Sequence, residues 1–432
     1  MRGTSDLKGK KLLILGSDYG TLQVAREAKK MGLYVIVADL MKTSPTKELA
    51  DEAWYISTTD IDYLCKKCRE ESVFALMFGA SDFNINHARQ ICKRLQLPIY
   101  CADDFSWKAA RDKRVFKNLC KTAGAPVAQD YVVSDALSKT ELASVQYPVV
   151  VKPSDQSGNR GMRYCSNEQA LIAAYRNARS ITEKEIIVER QLSGAEYNVH
   201  YVLAEGEAHL LYFSSAHHVP GKPSNLYSFK CTTSRHLKQY LEEVNDSVVA
   251  ALKLAGCKEG IAWVDCMRDV DGQFYLLEMG YRFGGVMTYV PYEKVTGFNT
   301  VLWMLECALG ITHKTCDLPL ALDHALAGCA ASYHLFSTQA GVIGAIEGLD
   351  EIAAMPNVFI DMPKRAGSVV RSDACIGLLG IYAQNIDELC KTLENINSVL
   401  RIKNQQGEDM ILYFNDYQSL REEYAAGLLE FK

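Results

Sequence analysis

Short apolar runs alternate with amphipathic segments through the first hundred residues. Lys11–Leu15 reads KLLIL, Tyr34–Ala38 YVIVA, Val73–Phe78 VFALMF and Leu97–Cys101 LPIYC. The segments Thr21–Met31, Ile61–Glu70 and Asn84–Leu95 instead repeat their apolar residues at helical spacing. Runs that are apolar at every position predict strands covered on both faces. Alternation of such strands with helices predicts a doubly wound parallel sheet. Asp104–Lys121 reads as one further helix, closed by Gly124 and Pro126.

The pattern changes near Tyr147. Strand-like segments are now separated by turn pairs, Glu205-Gly206 and Asp271-Gly272, as in antiparallel hairpins. An apolar helix is expected over residues 299–310, a connector over His313–Leu322, and a smaller α+β unit beyond it.

The chain has 432 residues, enough for several domains. Lys and Arg number 47 against 52 Asp and Glu, a net charge of -5, so there is no basic excess for a nucleic-acid backbone. No apolar run reaches the ~20 residues of a membrane helix. MRGTSDLKGK does not resemble a secretory leader, and a cytoplasmic protein is expected. The 14 cysteines are scattered through apolar segments, which fits a reducing compartment. Cys65 and Cys68 form an isolated CxxC within a helical pattern and are read as ordinary helix residues, not as a zinc or redox site.

Several segments carry candidate chemistry. After the first strand, Gly16–Ala25 has the position of a dinucleotide-binding turn, with Asp39 closing the second strand. Its glycines, Gly16 and Gly20, do not make G-x-G-x-x-G, and a plain strand-to-helix turn is preferred. In YPVVVKPSDQSGNRGM, Lys152 ends a buried strand and a loop with Gly158 and Gly161 follows, a combination that can surround phosphate oxygens. In GIAWVDCMRDVDGQFYLLEMGYRFGG, a two-residue turn at Asp271-Gly272 would set Asp265 directly opposite Glu278. Facing carboxylates repel unless something neutralises them, and a hard divalent cation with oxygen ligands does so. Ser81 and Asp82 end the third strand and are candidates for substrate contact or helix capping. His217 and His218 stand in a long polar stretch as candidate substrate contacts or solvated residues.

These motifs, in this order, resemble the ATP-grasp superfamily, specifically its carboxylate–amine ligases. The likeness runs from about Asp112 to Leu309. Lys113, in an Asp-Lys pair opening a helix, and Lys152 match the two lysines that approach the nucleotide phosphates; Ser157, Gly158 and Gly161 fall in the family's glycine-rich flap. Glu189, Arg190, Gln191 and Leu192 match the hinge that lines adenine, mainly through backbone groups, and Glu196 the acid that takes the ribose hydroxyls. Asp265 and Glu278 match the metal-binding carboxylates, and Arg282 the arginine near the transferred phosphate. The resemblance implies a Rossmann-like pre-ATP-grasp domain at 1–111, an ATP-grasp domain at 112–312 and a C-terminal α+β domain at 313–432.

It also implies ATP and Mg²⁺, or Mn²⁺ in its place, as cofactors. Arg282 and Lys152 would be the catalytic residues, and a small carboxylate and an amine the substrates, joined through an acyl phosphate with release of ADP. Amino-acid-like substrates are expected, since no biotin-attachment lysine motif or fused amidotransferase is visible. Nucleic acid and membrane are not expected as partners, and a homodimer is allowed. One departure stands out: the family pattern Glu-x-Asn-x-Arg reads here Glu278-Met279-Gly280-Tyr281-Arg282, so a side-chain oxygen is missing. That leaves open a degenerate ATP-binding regulator without ligase activity. An oxidoreductase would rest on Gly16, Gly20 and Asp39 alone.

Overall fold

The structure, a computed structural model, describes residues 7–18, 20–156, 158, 160–218, 227–318 and 328–431. Ser157, expected in the phosphate loop, lies outside them. The first sheet holds β1 (Lys11–Leu15), β2 (Tyr34–Ala38), β3 (Glu52–Trp54) and β4 (Val73–Phe78), all parallel in the order β3-β2-β1-β4. Its strands are apolar at successive positions because both faces are covered. Leu13, Leu15, Ile36, Leu76 and Phe78 pack against Leu64, Ile85 and Ile91. On the other face Leu12, Ile14, Val35 and Met77 meet Val24 and Ala28, and also Trp303 and Met304 from the helix Thr300–Ala308. Cys65 and Cys68 are buried in the first of these cores, where burial pushes the Cys68 thiol up to about 12.

Two expectations fail here for identifiable reasons. Leu97–Cys101 is not a strand: its carbonyls are taken by side chains, Arg89 Nε donating to Cys101 O at 2.6 Å and Tyr281 OH to Tyr100 O at 3.3 Å. The fourth strand is instead β3, three residues long and too short to make an apolar run. The single helix expected over Asp104–Lys121 is two, Asp104–Arg111 and Lys113–Thr122, broken at Asp112. Asp112 adopts an extended backbone and caps the second helix, accepting from the amides of Arg114 (2.9 Å) and Val115 (3.3 Å).

The turn at Gly16–Gly20 is filled from within. A side chain at 16 would collide with the Asn84 amide, which donates to Asp18 Oδ2 at 2.9 Å, and one at 20 would meet the Tyr289 hydroxyl. The expectation of a plain strand-to-helix turn is consistent with this packing.

A small antiparallel sheet follows: β5 (Asp130–Tyr131), β6 (Val149–Pro153), β7 (Arg163–Cys165) and β8 (Ile186–Arg190), ordered β5-β8-β6-β7. The largest sheet has eight strands. Five come from the middle of the chain: β9 (Gly194–Ala204), β10 (Glu207–His218), β11 (Tyr227–Thr232), β12 (Gly260–Asp269) and β13 (Phe274–Gly280). Three come from beyond residue 313: β14 (Cys329–Phe336), β16 (Val358–Asp361) and β18 (Cys375–Ala383). The order is β13-β12-β9-β10-β11-β14-β18-β16, so one continuous sheet crosses from residue 194 to residue 383. The remaining strands, β15 (Gly341–Glu347), β17 (Val369–Val370) and β19 (Arg401–Asn404), make a three-stranded sheet. No helix among the described residues is long and apolar enough to cross a membrane.

Candidate active site

The small and large sheets face each other across a cavity of about 390 Å³. Lys113, Lys152, Gly158, Glu189, Arg190, Leu192, Glu196, Asp265, Glu278 and Arg282 all line it. Gln191 and Gly161 do not. Gln191 gives its amide to Pro148 O at 3.0 Å, and Gly161, at φ +80°, packs against Pro153 and Ile181.

The β12–β13 hairpin delivers its two acids by a route the sequence does not suggest. The expected two-residue loop is in fact three residues, 270–272, with Asp269 donating to Gln273 O at 2.9 Å and Gly272 in the left-handed region at φ +83°. Arg268 therefore faces Phe274 and Cys266 faces Leu276, one residue out of the expected register. A bulge at Leu277 restores it, and Asp265 does stand opposite Glu278. The pair is as expected; the turn is not.

Asp265 accepts from Asn198 Nδ2 at 2.5 Å, and Asn198 Oδ1 in turn meets His200 Nε2 at 2.5 Å. Burial, opposed by the Lys230 ammonium and reinforced by the Glu196 and Glu278 carboxylates, pushes the Asp265 carboxyl up to about 7. The three acids thus form a crowded group whose natural complement is a cation. Glu196 lies 3.4 Å from His218 Nε2. Burial would raise its carboxyl, but His218 and Lys230 together bring it below the ordinary value.

Lys113 leads a helix whose first amide is held by Ser154 O, at the start of the loop after β6. Its ammonium reaches Glu278 Oε2 at 2.7 Å and Gln156 O at 2.7 Å. Lys152, next to the last residue of β6, pairs with Glu189 on the adjacent β8, while Lys117 meets Glu189 Oε2 at 2.6 Å. Burial alone would raise the Glu189 carboxyl, yet these two ammonium groups hold it below its usual range. The carboxylate of Glu189 is therefore a counter-ion between two lysines. In the expected hinge, the amides of Arg190 and Gln191 are already bonded to Gln129 O and Pro148 O, and the Arg190 guanidinium is held by Asp269 at 2.6 Å.

Arg282 is fixed on two sides. Its Nε lies 2.5 Å from Asp82 Oδ1, its guanidinium sits over the Trp263 ring at 5.1 Å, and Asp82 Oδ2 is bridged to Arg111 at 2.6 Å. Trp263 explains the departure at Gly280: the two face each other across the hairpin, and a side chain at 280 would overlap the indole. Of the two candidates at the end of β4, Ser81 caps the following helix through the Asn84 amide and Asp82 enters the cavity.

Asn198, Lys230, Arg111 and Trp263 also line the cavity and were not singled out from the sequence. Signals for two of them existed. Glu196, Asn198 and His200 alternate along β9, placing three polar groups on one face, and the register that opposes Asp265 to Glu278 also opposes Trp263 to Gly280. His217 lies 3.5 Å from Glu423, outside the cavity lining.

Residues 112–315 match the family model of the carbamoyl-phosphate synthase L chain, ATP binding domain. The chain is 22% identical over 335 residues to the 2-oxoglutarate carboxylase small subunit of Hydrogenobacter thermophilus, covering 70% of this chain and 67% of that relative. It is 28% identical over 178 residues to a D-alanine–D-alanine ligase of Ectopseudomonas mendocina, covering 39% of this chain and 55% of the relative. The chain thus spans about half to two thirds of the length of these relatives. In fold it is similar to the L-amino acid ligase of Bacillus licheniformis, with a TM-score of 0.75 at 17% identity over 92% of this chain and 99% of that one.

Proposed function

We propose that this chain is an ATP-dependent ligase of the ATP-grasp type, joining a small carboxylate to an amine through an acyl phosphate, a reading supported by the match of residues 112–315 to an ATP binding domain. The observation that carries the reading is the convergence of Lys113, Lys152 and Arg282 with the Asp265–Glu278 pair on one cavity. In the reaction a carboxylate oxygen of the acid attacks the γ-phosphorus of ATP, the bond to the β-bridging oxygen breaks, and ADP leaves. The amine nitrogen then attacks the acyl carbon, phosphate departs, and the nitrogen loses its proton.

Such a transfer needs fixed positive charge around the phosphoryl oxygens rather than a covalent nucleophile. Lys113 and Lys152 approach from two different elements, each already tied to an acid that sets its position. Arg282, held by Asp82 and Trp263, presents its remaining N–H groups to the transferred group. Gly158 and Gly161 would let the loop after β6 bring backbone amides close to the phosphates, and Arg190, Gln191 and Leu192 would flank the base. Glu196 would take the ribose. Asp265 and Glu278 are the residues that would hold Mg²⁺, and the upward shift of Asp265 among its acidic neighbours fits a divalent cation at that place. When bound, Mg²⁺ offsets the charge of the phosphate oxygens.

Amino-acid-like substrates are the finer reading, supported by the likeness to two ligases of that kind. The test is a screen of ADP release over pairs of amino acids, with bicarbonate plus biotin as a separate arm. Hydroxylamine in place of the amine should trap the hydroxamate of the acid. Release of AMP and pyrophosphate would overturn the mechanism, and turnover confined to bicarbonate would overturn the substrate class.

A further inference from the structure

A second cluster of metal-ligating groups lies at the other end of β12. Glu259 immediately precedes the strand, six residues before Asp265, which is about 20 Å of extended chain. Cys307 belongs to the helix Thr300–Ala308, and His313 follows in the connector. One donor atom from each of the three side chains lies within 4.8 Å of the other two. None of them lines the nucleotide cavity.

We propose that Glu259, Cys307 and His313 bind a zinc ion, with the fourth position open to water. Three independent features point there. Cys307 Sγ and His313 Nδ1 are 3.7 Å apart. With Zn–S about 2.3 Å and Zn–N about 2.0–2.1 Å, a tetrahedral ion requires about 3.6 Å between those atoms. The imidazole is also oriented to coordinate an ion, because Glu306 Oε2, 2.8 Å from Nε2, can accept a hydrogen bond from Nε2–H and so leave the Nδ1 lone pair directed at the sulfur. A carboxylate behind a histidine in this way is the usual outer support of a zinc ligand. Finally, Glu259 Oε2 is buried without a hydrogen-bond partner, an arrangement that costs stability unless something binds it. The Trp303 ring, stacked on His313 at 3.6 Å, closes one side.

The donor set selects the ion. A thiolate with an imidazole and one carboxylate suits zinc, whereas Mg²⁺ and Ca²⁺ prefer oxygen alone. In the metal-free protein the thiol can donate weakly to Nδ1; on binding, the thiol proton is released to solvent and the sulfur joins the ion as thiolate. The ion would tie the connector after the helix to the residue just before β12, and it takes no part in the nucleotide site.

The test uses the full-length protein stripped with a chelator and titrated with Co²⁺ as a spectroscopic substitute, then with Zn²⁺. One equivalent of Co²⁺ should give a sulfur-to-metal charge-transfer band and tetrahedral visible bands, which one equivalent of Zn²⁺ abolishes. Zinc addition should release one proton. Cys307→Ser should lose the charge-transfer band, His313→Gln should lose tight binding, and Glu306→Gln should weaken zinc about 10–100-fold. Circular dichroism of each variant reports that it is folded. No charge-transfer band in the wild type would overturn the proposal. So would a band that persists in Cys307→Ser, because 13 other cysteines would then be its source.

Discussion

Arg282 and Asp82 stand 200 residues apart in the chain and 2.5 Å apart in space, joining the loop after the β12–β13 hairpin to the start of the helix Asp82–Leu95 that follows β4. The contact means that the helix after β4 positions a group of the proposed phosphoryl-transfer site. Asp82→Asn should leave the nucleotide site intact but free the guanidinium. Loss of one charge-assisted hydrogen bond is about 1.5–3 kcal/mol, a fall of roughly 10–150-fold in kcat. The KM for ATP should change much less. Steady-state ADP release checks this, and a change confined to KM would show that Asp82 does not act through Arg282.

The two facing acids should differ in importance. Glu278 also carries the ion pair with Lys113, so Glu278→Gln removes a proposed metal ligand and loosens a proposed phosphate-binding lysine together. Activity should fall by at least about a thousandfold, the upper range for losing one charge-stabilising group. Asp265→Asn should retain more activity and require more Mg²⁺. Titrating Mg²⁺ at fixed ATP distinguishes the two variants.

Placing the asparagine of the ATP-grasp pattern at position 280 should lower activity rather than raise it. Gly280→Asn drives a side chain into the Trp263 indole, and overpacking of this kind costs about 1–3 kcal/mol. The variant should unfold at lower urea and lose activity as Arg282 loses its support. Trimming the indole with Trp263→Ala in the same chain should recover stability but not activity.

Two carboxyls make stability depend on pH. Burial pushes Asp18 up to about 6, and burial likewise brings Asp361 up to about 6. Both values lie above the ordinary carboxylate value near 3.8, so between about pH 4 and 6 the folded chain binds more protons than the unfolded one. Stability from these groups is present below pH 4 and is lost as pH rises through 6. Asp361→Asn should therefore raise the melting temperature at pH 8 and leave it nearly unchanged at pH 4. Thermal unfolding at the two pH values decides.

The hairpin shows what a sequence can and cannot reveal. Opposition of Asp265 and Glu278 was legible because both are polar in an otherwise apolar hairpin, yet the longer turn and the Leu277 bulge were not, and their errors cancel. The lysines and Arg282 were legible as motifs. Glu189 was legible by position, but not as the counter-ion of Lys117, because that lysine sits 72 residues away on a helix with no distinguishing pattern. Leu97–Cys101 misled for a similar reason: its apolar residues serve a contact with Tyr281, and local pattern does not say which element an apolar residue will meet.

The eight-stranded sheet sets a limit on how this chain can be taken apart. β11, from the middle of the sequence, is hydrogen-bonded to β14, which lies beyond residue 313. Ending the chain at 312 would leave β11 as an exposed edge and strip Phe229 of its partner Tyr333, inviting strand-to-strand association between copies. The C-terminal part is therefore no exchangeable cassette. A chimera that borrows the tail of a similar protein must carry the whole seam from 227 to 383, or it will inherit a sheet that ends halfway.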